Sequence, residues 1–415
     1  MPSRPEMAVN GDTYSFLWGE EGIAADVDRV TESRDGMHAE VVIHSNVHGL
    51  LHAARLNLLS TQSRSSVAKA LTERVALDWG GILEAMCFLT VERYREGEPA
   101  IDLATWEPDR KEHWLLYPYL SFSGPTVLFA EGMSGKSLLS LAMAYTVATG
   151  DRIIGDLRAE PCNVLYLDWE TGPDTHWQRL RAIATPRFTD PPHIIYRYMT
   201  ASLPESAGII RKDIAKHHIR MVVVDSLGAA GTGAPEEAST AIALFQAIRT
   251  FKHCAVLCLH HKNKGGDTGG AGKLRLFGSA YYFNFARLVW ELDAVHREGS
   301  DSSTVGMICH KNNYGRLFTR HAWEVRFRND SAGEMQGVQL ERRDVADVPE
   351  LAGKMPLREQ IVMELRHGAM SAADLTEALG SDVKQISSRL QDLKKGGRIT
   401  RLEDGTWGLA AVSSR

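Results

Sequence analysis

Residues 124–141, Gly-Pro-Thr-Val-Leu-Phe-Ala-Glu-Gly-Met-Ser-Gly-Lys-Ser-Leu-Leu-Ser-Leu, constrain the fold more than any other stretch of the chain. Thr126 to Ala130 is a short apolar run that reads as a buried strand, and an apolar-periodic helix runs from Leu138 onward. The segment between them is therefore a strand-to-helix turn, and its residue types are those an anion needs. Gly132 and Gly135 let the backbone curl so that successive N–H groups point inward. Lys136 supplies a mobile cation for the β- and γ-phosphates, and Ser137 a hydroxyl for Mg2+ at the positive end of the helix. The pattern is a phosphate-binding loop with Ala130 where the first glycine is expected, and alanine is small enough to be tolerated there. The expected nucleotide contacts are Glu131, Gly132, Met133, Ser134, Gly135, Lys136, Ser137 and Leu138.

A chain of 415 residues is too long for one core. With 44% hydrophobic and 24% charged residues it reads as globular. No apolar run approaches the roughly 20 residues of a membrane span, and the first residues lack a signal-peptide pattern, so the expected location is the cytoplasm. The five cysteines are scattered; Cys254 and Cys258 bring no second pair of ligands, which points to reduced thiols rather than zinc. A net charge of −5 excludes a globally basic nucleic-acid binder but leaves room for a local basic channel.

Residues 1–104 read as a small α+β cap. After a flexible start over 1–12, two alternating runs flank Ser33-Arg34-Asp35-Gly36, a hairpin signal, and helical patterns follow around Ser63–Val75 and Trp79–Tyr94. His38, His44, His48 and His52 lack the cysteine or carboxylate partners of a metal cluster and read as solvated or structural. Residues 105–345 form the core. Asn163–Asp168, Arg220–Asp225 and Ala255–His260 are near-continuous apolar runs alternating with helices, which indicates a mostly parallel sheet buried on both faces. In such a sheet the chemistry gathers at the carboxyl ends of the strands, where these three carry Asp168 with Glu170, Asp225 with Ser226, and His260 with His261.

Each acid suits a different task. Asp225, closing Val-Val-Val-Asp-Ser, has the position of a Walker B acid beside Ser137, and the two form the expected Mg2+ pair. Glu170 is the candidate to orient and deprotonate the attacking water, with Asp168 as its rival or as a cap on the Thr171-Gly172-Pro173 turn. His260 or His261 is placed to sense the γ-phosphate, with His260 preferred. The segment that follows, His261 to Ser279, is Gly-rich and basic, and Lys262, Lys264, Lys273 and Arg275 suit a sequence-independent grip on a phosphodiester backbone. Val305 to Thr319 reads as two strands around an Asn-Tyr-Gly turn.

Residues 105 to 330 resemble the RecA-like ATPases, and within them the RepA-type hexameric replicative helicases. The motifs that carry the likeness are Ala-Glu-Gly-Met-Ser-Gly-Lys-Ser, Leu-Tyr-Leu-Asp-Trp-Glu, Val-Val-Val-Asp-Ser-Leu, His-His-Lys-Asn-Lys-Gly-Gly and Phe-Gly-Ser-Ala with Arg287 downstream. The resemblance implies a RecA-like phosphate-loop NTPase core and a homo-oligomeric ring, usually a hexamer. It also implies ATP and Mg2+ at each subunit boundary and single-stranded DNA in the channel. His-Lys-Asn-Asn-Tyr-Gly is similar to segments of DnaB-type and RadA-type proteins in which a lysine reaches the neighbour's γ-phosphate. Lys311 matches that lysine, whereas Asn313 stands where an arginine is expected, which leaves Arg287 and Arg316 as candidate arginine fingers, Arg287 preferred.

Residues 346–356 read as a linker, and 357–415 as three helices followed by two short strands, similar to a winged helix-turn-helix domain. Lys384 and Arg389 would then face DNA. The expected activity is a DNA-dependent ATPase that translocates on single-stranded DNA, a RepA-like helicase of a plasmid, phage or mobile element, with replication or defence proteins as further partners. The alternative is an ATP-switched DNA-binding regulator, repair accessory or defence-system subunit without unwinding.

Overall fold

Period-two patterning organises the first hundred residues. The computed structural model describes residues 2–10, 12–97, 100–107, 113–185, 192–262, 276–296 and 300–410. Its N-terminal antiparallel sheet runs in chain order through β1 (Glu6–Asn10), β2 (Thr13–Trp18), β3 (Ile23–Ser33), β4 (Gly36–Ser45) and β5 (Gly49–Asn57). Alternate residues of β3 and β4, among them Ile23, Val27, Met37, Val41 and Ile43, point into one core, which α1 (Thr61–Thr72) and α2 (Trp79–Glu96) close through Leu71, Trp79, Ile82 and Met86. Asp35-Gly36 makes the turn between β3 and β4, with Gly36 at φ +122. The flexible start expected over 1–12 is corrected: Glu6–Asn10 is an edge strand paired along β2. Ion pairs from Arg211 to Asp12 and from Lys212 to Asp28 tie this sheet to the rest of the chain.

A short hairpin of β6 (Trp114–Leu116) and β7 (Leu120–Ser121) leads into the core. There follow β8 (Thr126–Ala130), α3 (Lys136–Thr149), β9 (Asn163–Asp168), α4 (Pro173–Ala184), β10 (Ile194–Tyr198), α5 (Leu203–Lys216) and β11 (Ile219–Asp225). Next come α6 (Leu227–Ala230), α7 (Ala238–Arg249), β12 (Ala255–His261), α8 (Tyr281–Phe285) and the long strands β13 (Leu288–His296), β14 (Ser302–Asn312), β15 (His321–Asn329) and β16 (Met335–Arg343). The nine-stranded sheet has the order β10-β9-β11-β12-β8-β13-β14-β15-β16, parallel from β10 to β13 and antiparallel beyond. The sheet is mostly parallel and carries helices on both faces, the α/β layering expected of a RecA-like phosphate-loop NTPase core.

Continuous apolar runs are what a sheet covered on both faces requires. Leu128, Tyr166, Val223, Leu257 and Leu259 face α3, while Val127, Leu167, Val224 and Cys258 face the side covered by α5 and α7. Register then brings the strand ends together: Ala130 lies opposite His261, and Asp225 opposite Asp168. One expected element is absent from the described residues. The Asn-Tyr-Gly turn follows β14, but no strand forms over Leu317–Thr319; the return strand begins at His321 and pairs with Ser302–Met307. Phe318 instead stacks on Trp290 at 5.7 Å and packs edge-on against Trp114, so side-chain packing fixes the segment without a ladder.

After a 3-10 turn at Val345–Asp347 come α9 (Pro349–Ala352), α10 (Leu357–His367), α11 (Ala372–Leu379), α12 (Val383–Lys395) and a hairpin of β17 (Ile399–Arg401) and β18 (Trp407–Leu409). Capping explains the breaks: Ser371 forms a capping box with Asp374, Asp382 caps α12, and Gly397 at φ +67 releases the chain into β17. Ile361, Leu375, Ile386, Leu390, Leu393 and Trp407 make a separate small core. Among the described residues no helix is long and apolar enough to cross a membrane.

Candidate nucleotide site

The buried strand β8 stops at Ala130, and the chain reverses through 131–135 before α3 begins at Lys136. The reversal needs left-handed backbone at Met133 (φ +62) and Gly135 (φ +85); the Met133 side chain is 96% exposed and makes no demand on the core. Ser134 Oγ donates to the Glu131 carbonyl at 2.8 Å and tightens the loop. A Cβ built on Gly132 or Gly135 would meet no protein atom within 4 Å, so both backbones border open space, as a phosphate cradle requires. Ala130 ends an extended strand and has no positive φ, which is why alanine serves there. Lys136 Nζ donates to the carbonyls of Ala130 (3.2 Å) and Glu131 (2.7 Å). Burial lowers its pKa, and the carboxylates of Asp225 and Glu170 oppose that shift. Leu138 turns into the core behind the loop.

Asp225 is 3% exposed and accepts two hydroxyls, from Tyr166 at 2.8 Å and from Ser137. Burial raises its pKa, the two hydrogen bonds pull it down, and the nearby Glu170 and Asp168 charges push it up again. A hydroxyl and a buried carboxylate side by side, facing an open loop with a lysine, are a donor set that fits Mg2+ with a nucleotide phosphate: Ser137 and Asp225 would hold the ion. Tyr166 carries no motif of its own, although period two in Asn-Val-Leu-Tyr-Leu-Asp puts it on the face of Asp168.

Glu170 and Asp168 differ sharply in environment. Glu170 Oε1 accepts from Ser226 Oγ and lies 3.5 Å from His261 Nε2, with the side chain 40% exposed. The His261 hydrogen bond lowers its pKa most, burial opposes, and Ser226 and Lys136 add to the lowering, so the carboxylate is ionised and open to water. Asp168 is fully buried and accepts the backbone N–H groups of Glu170 (2.9 Å), Thr171 (3.2 Å) and Gly172 (2.8 Å) and the Tyr196 hydroxyl (2.7 Å), with His176 Nε2 at 3.2 Å. Burial works to raise its pKa, yet these hydrogen bonds hold it well below the carboxylate range. Its lone pairs are occupied, and it caps the turn into α4. The same saturation argues against reading Asp168, His176 and Asp225, whose ligand atoms lie within 4.8 Å of one another, as a further metal cage.

His260 requires a correction. Alternation along β12 turns it away from the phosphate loop: it is fully buried, donates Nε2–H to the Phe277 carbonyl at 2.7 Å and lies on the Tyr282 ring at 4.5 Å. Burial pushes its pKa down to about 4, against the Phe277 hydrogen bond, so it is a neutral core histidine. His261, one residue on, is the imidazole that reaches Glu170.

Lys311 and Arg287 stand elsewhere. Leu288 pairs with Thr126 and Val289 with Lys311, which places both cations at the entry of β8, whereas its exit carries the loop. Five extended residues separate those ends by roughly 13 Å of backbone before any side chain is added. Lys311 Nζ donates to the carbonyls of Phe283 (3.0 Å) and Asn284 (2.9 Å), and burial, then the Arg287 charge, lowers its pKa. Arg287 is exposed and packs its chain over Gly124, where a Cβ would lie 2.4 Å from Arg287 Cγ. Arg316 is exposed beyond β14.

Of the expected DNA contacts, Lys262 does not stand as a free surface cation. Its ammonium is bound to Glu291 at 2.6 Å with both side chains largely buried, because the partner 29 residues away folds next to it. Lys264, Lys273 and Arg275 lie outside the described residues. Lys384 and Arg389 are exposed on α12, where Arg389 pairs with Asp392 at 3.2 Å, on a helix whose buried face belongs to the separate C-terminal core.

A family model described as an AAA domain matches residues 92–267, the span from the end of α2 through the phosphate loop to Asp225 and His261. None of the curated proteins compared with the chain matches it. Among solved structures, the chain is similar to the KaiC-like protein PH0186 from the hyperthermophilic archaea Pyrococcus horikoshii OT3, at 12% identity and a TM-score of 0.39 over 55% of this chain and 93% of that one.

Proposed function

Starting from a core that is a RecA-like phosphate-loop ATPase, we propose that the chain assembles into a homo-oligomeric ring, a hexamer, that hydrolyses ATP to translocate on single-stranded DNA. The role that fits best is a RepA-like replicative helicase of a plasmid, phage or mobile element, working in the cytoplasm. The carrying observation is the placement of Lys311 and Arg287 at the far end of the strand from their own loop, too distant to serve it. Two cations side by side at that end suit a neighbour's γ-phosphate, so each site would be completed in trans.

In this reading Lys136 leaves the carbonyls of Ala130 and Glu131 for the β- and γ-phosphates. Ser137 and Asp225 would hold Mg2+, whose positive charge would be supplied next to the phosphate oxygens. Glu170, anchored by Ser226 and His261, takes the proton of the water that attacks the γ-phosphorus. His261 leads directly into Lys262, and Lys262 N–H donates to the Ala130 carbonyl at 2.8 Å. Loop, base and the start of the basic segment are thus joined within three residues. Lys264, Lys273 and Arg275 would meet the phosphodiester backbone there. The exposed Lys384 and Arg389 support a winged-helix reading of 357–415 that contacts DNA separately.

The same exposed face of α12 favours a second reading, an ATP-switched DNA-binding regulator, repair accessory or defence subunit. Hydrolysis with and without oligo-dT, with strand displacement measured alongside, separates the two. The wild type should be stimulated by oligo-dT; Lys136→Ala should lose nucleotide binding, and Glu170→Gln should bind ATP without turnover. Absence of stimulation together with tight, sequence-selective duplex binding would favour the regulator, and full turnover in Lys136→Ala would remove the site assignment itself.

A further inference from the structure

Glu291 uses both carboxylate oxygens on side chains from different segments. Oε1 meets Lys262 Nζ at 2.6 Å and Oε2 meets His310 Nε2 at 2.7 Å, with the Glu291 side chain 13% exposed. Burial works to raise its pKa, and His310 and Lys262 outweigh it and hold it at about 2. A buried ion pair often stabilises no better than packed apolar side chains of the same volume, so the placement of this one, with an imidazole hydrogen-bonded to it, is informative.

Lys262 opens the basic segment: it bridges to Leu276, and its N–H holds Ala130 of the phosphate-loop strand. His310 is the extra residue of a bulge, because Val289 pairs with Lys311 and Trp290 with Cys309. A bulge re-aims the side chains beside it. Here it leads into Lys311, whose ammonium reaches the carbonyls at the end of α8. Glu291 therefore joins the stem of one functional segment to the backbone that aims another.

We propose that Glu291 is a positioning residue that couples nucleic-acid binding to the neighbouring subunit's ATP site: it withholds Lys262 from nucleic acid, and a phosphodiester that captures Lys262 leaves the carboxylate to act on His310 alone, shifting the bulge and with it Lys311. The inference rests on the ring reading above. The Lys262 ammonium is the contested group, and a phosphate oxygen is the competing acceptor. No bond is made or broken beyond this exchange of ion pairs.

The test uses the full-length protein and oligo-dT. Glu291→Gln keeps the side-chain shape and removes the charge that competes for Lys262, so it should bind oligo-dT on the order of tenfold tighter while losing oligo-dT-stimulated hydrolysis. Tighter binding with lost stimulation is a pairing that a merely structural role does not give. Lys262→Gln should bind more weakly and also lose stimulation, and in the double variant the tightening should vanish. Affinity for a fluorescent ATP analogue checks that each variant is folded. Wild-type-like binding or stimulation in Glu291→Gln overturns the proposal. If that variant does not fold, wild-type-like behaviour of Lys262→Gln overturns it equally. A wild type that neither binds nor responds to oligo-dT would instead remove the ring-translocase reading, and this inference with it.

Discussion

Replacing Tyr166 with phenylalanine removes one hydroxyl from Asp225, a buried acid of the site, and little else. The ring volume is kept, and Ser140, the hydroxyl's other contact at 3.0 Å, retains its own hydrogen bond to the Ser137 carbonyl at 2.9 Å. What is lost is the 2.8 Å bond to Asp225 Oδ2. A hydrogen bond to a charged group contributes about 1.5–3 kcal/mol, and the loss falls on the carboxylate form alone. At 1.4 kcal/mol per tenfold, Mg2+-dependent nucleotide binding should weaken by about 10- to 100-fold at neutral pH. The sign with pH follows from the direction of the shift. Asp225 already titrates above its ordinary value because of burial, and losing the Tyr166 donor moves it higher. The metal-binding carboxylate therefore grows in with rising pH, and the deficit should shrink as pH rises. Stability of the ligand-free protein runs the other way. A raised carboxyl contributes stability below its unfolded pKa that is lost as pH climbs through the folded one, so the variant's Tm deficit should widen with pH. Titrating a fluorescent nucleotide analogue against Mg2+ at a series of pH values reads the first effect, and thermal melts read the second. An unchanged Mg2+ dependence at every pH would refute the placement of Asp225 beside the ion.

Two further outcomes follow from placement and packing. Mixing Lys136→Ala with Lys311→Ala subunits should yield more hydrolysis than the sum of the two alone, since the first lends its Lys311 to the intact site of the second; strictly additive rates would exclude completion in trans. Leu393→Ala should destabilise the C-terminal helices by about 2–5 kcal/mol, because Leu393 is buried among Ile386, Leu390 and Trp407, with the loss seen in the melting of residues 357–410 and nucleotide affinity retained.

Local chemistry was legible from the sequence, and partnership across distance was not. The phosphate loop, the strand ending at Asp225 and the turn at Asp35-Gly36 are written in contiguous residues, and the backbone follows them. His260 was misassigned where alternation sufficed: Leu257, Leu259 and His261 share the face of α3, and His260 cannot. The same rule would have found Tyr166. Sequence left Glu170 and Asp168 as rivals, and what separates them is the count of donors each accepts, which only the fold reveals. Lys262 looked like a surface cation because Glu291 lies 29 residues on. The edge strand Glu6–Asn10 owes its order to the ladder with β2 rather than to apolar content, so no local signal announces it. The segment after Asn312 failed as a strand because Phe318 is taken up by Trp290 and Trp114.

The ligand-free site is electrostatically unsettled in a way that bears on how it would work. Burial lowers the pKa of Lys136 and raises that of Asp225, so the fold disfavours the charged form of both groups that a nucleotide with Mg2+ needs charged. The two stability contributions have opposite slopes: that of a depressed lysine is present at high pH and lost as pH falls through its folded pKa, and that of Asp225 is lost as pH rises. Between those limits both groups are charged and the empty core has the support of neither. A phosphate beside Lys136 and a cation beside Asp225 remove both penalties together, and that relief is part of the roughly 2.7 kcal/mol that a ligand at about 100 times its Kd adds to folding. Glu170 acts on the charges of both Lys136 and Asp225 and is held by His261, and the next residue, Lys262, donates its N–H to the Ala130 carbonyl. A core held taut only when filled is suited to drive a cycle, because each loss of the γ-phosphate returns Lys136 to the carbonyls of Ala130 and Glu131, the same carbonyl that anchors Lys262.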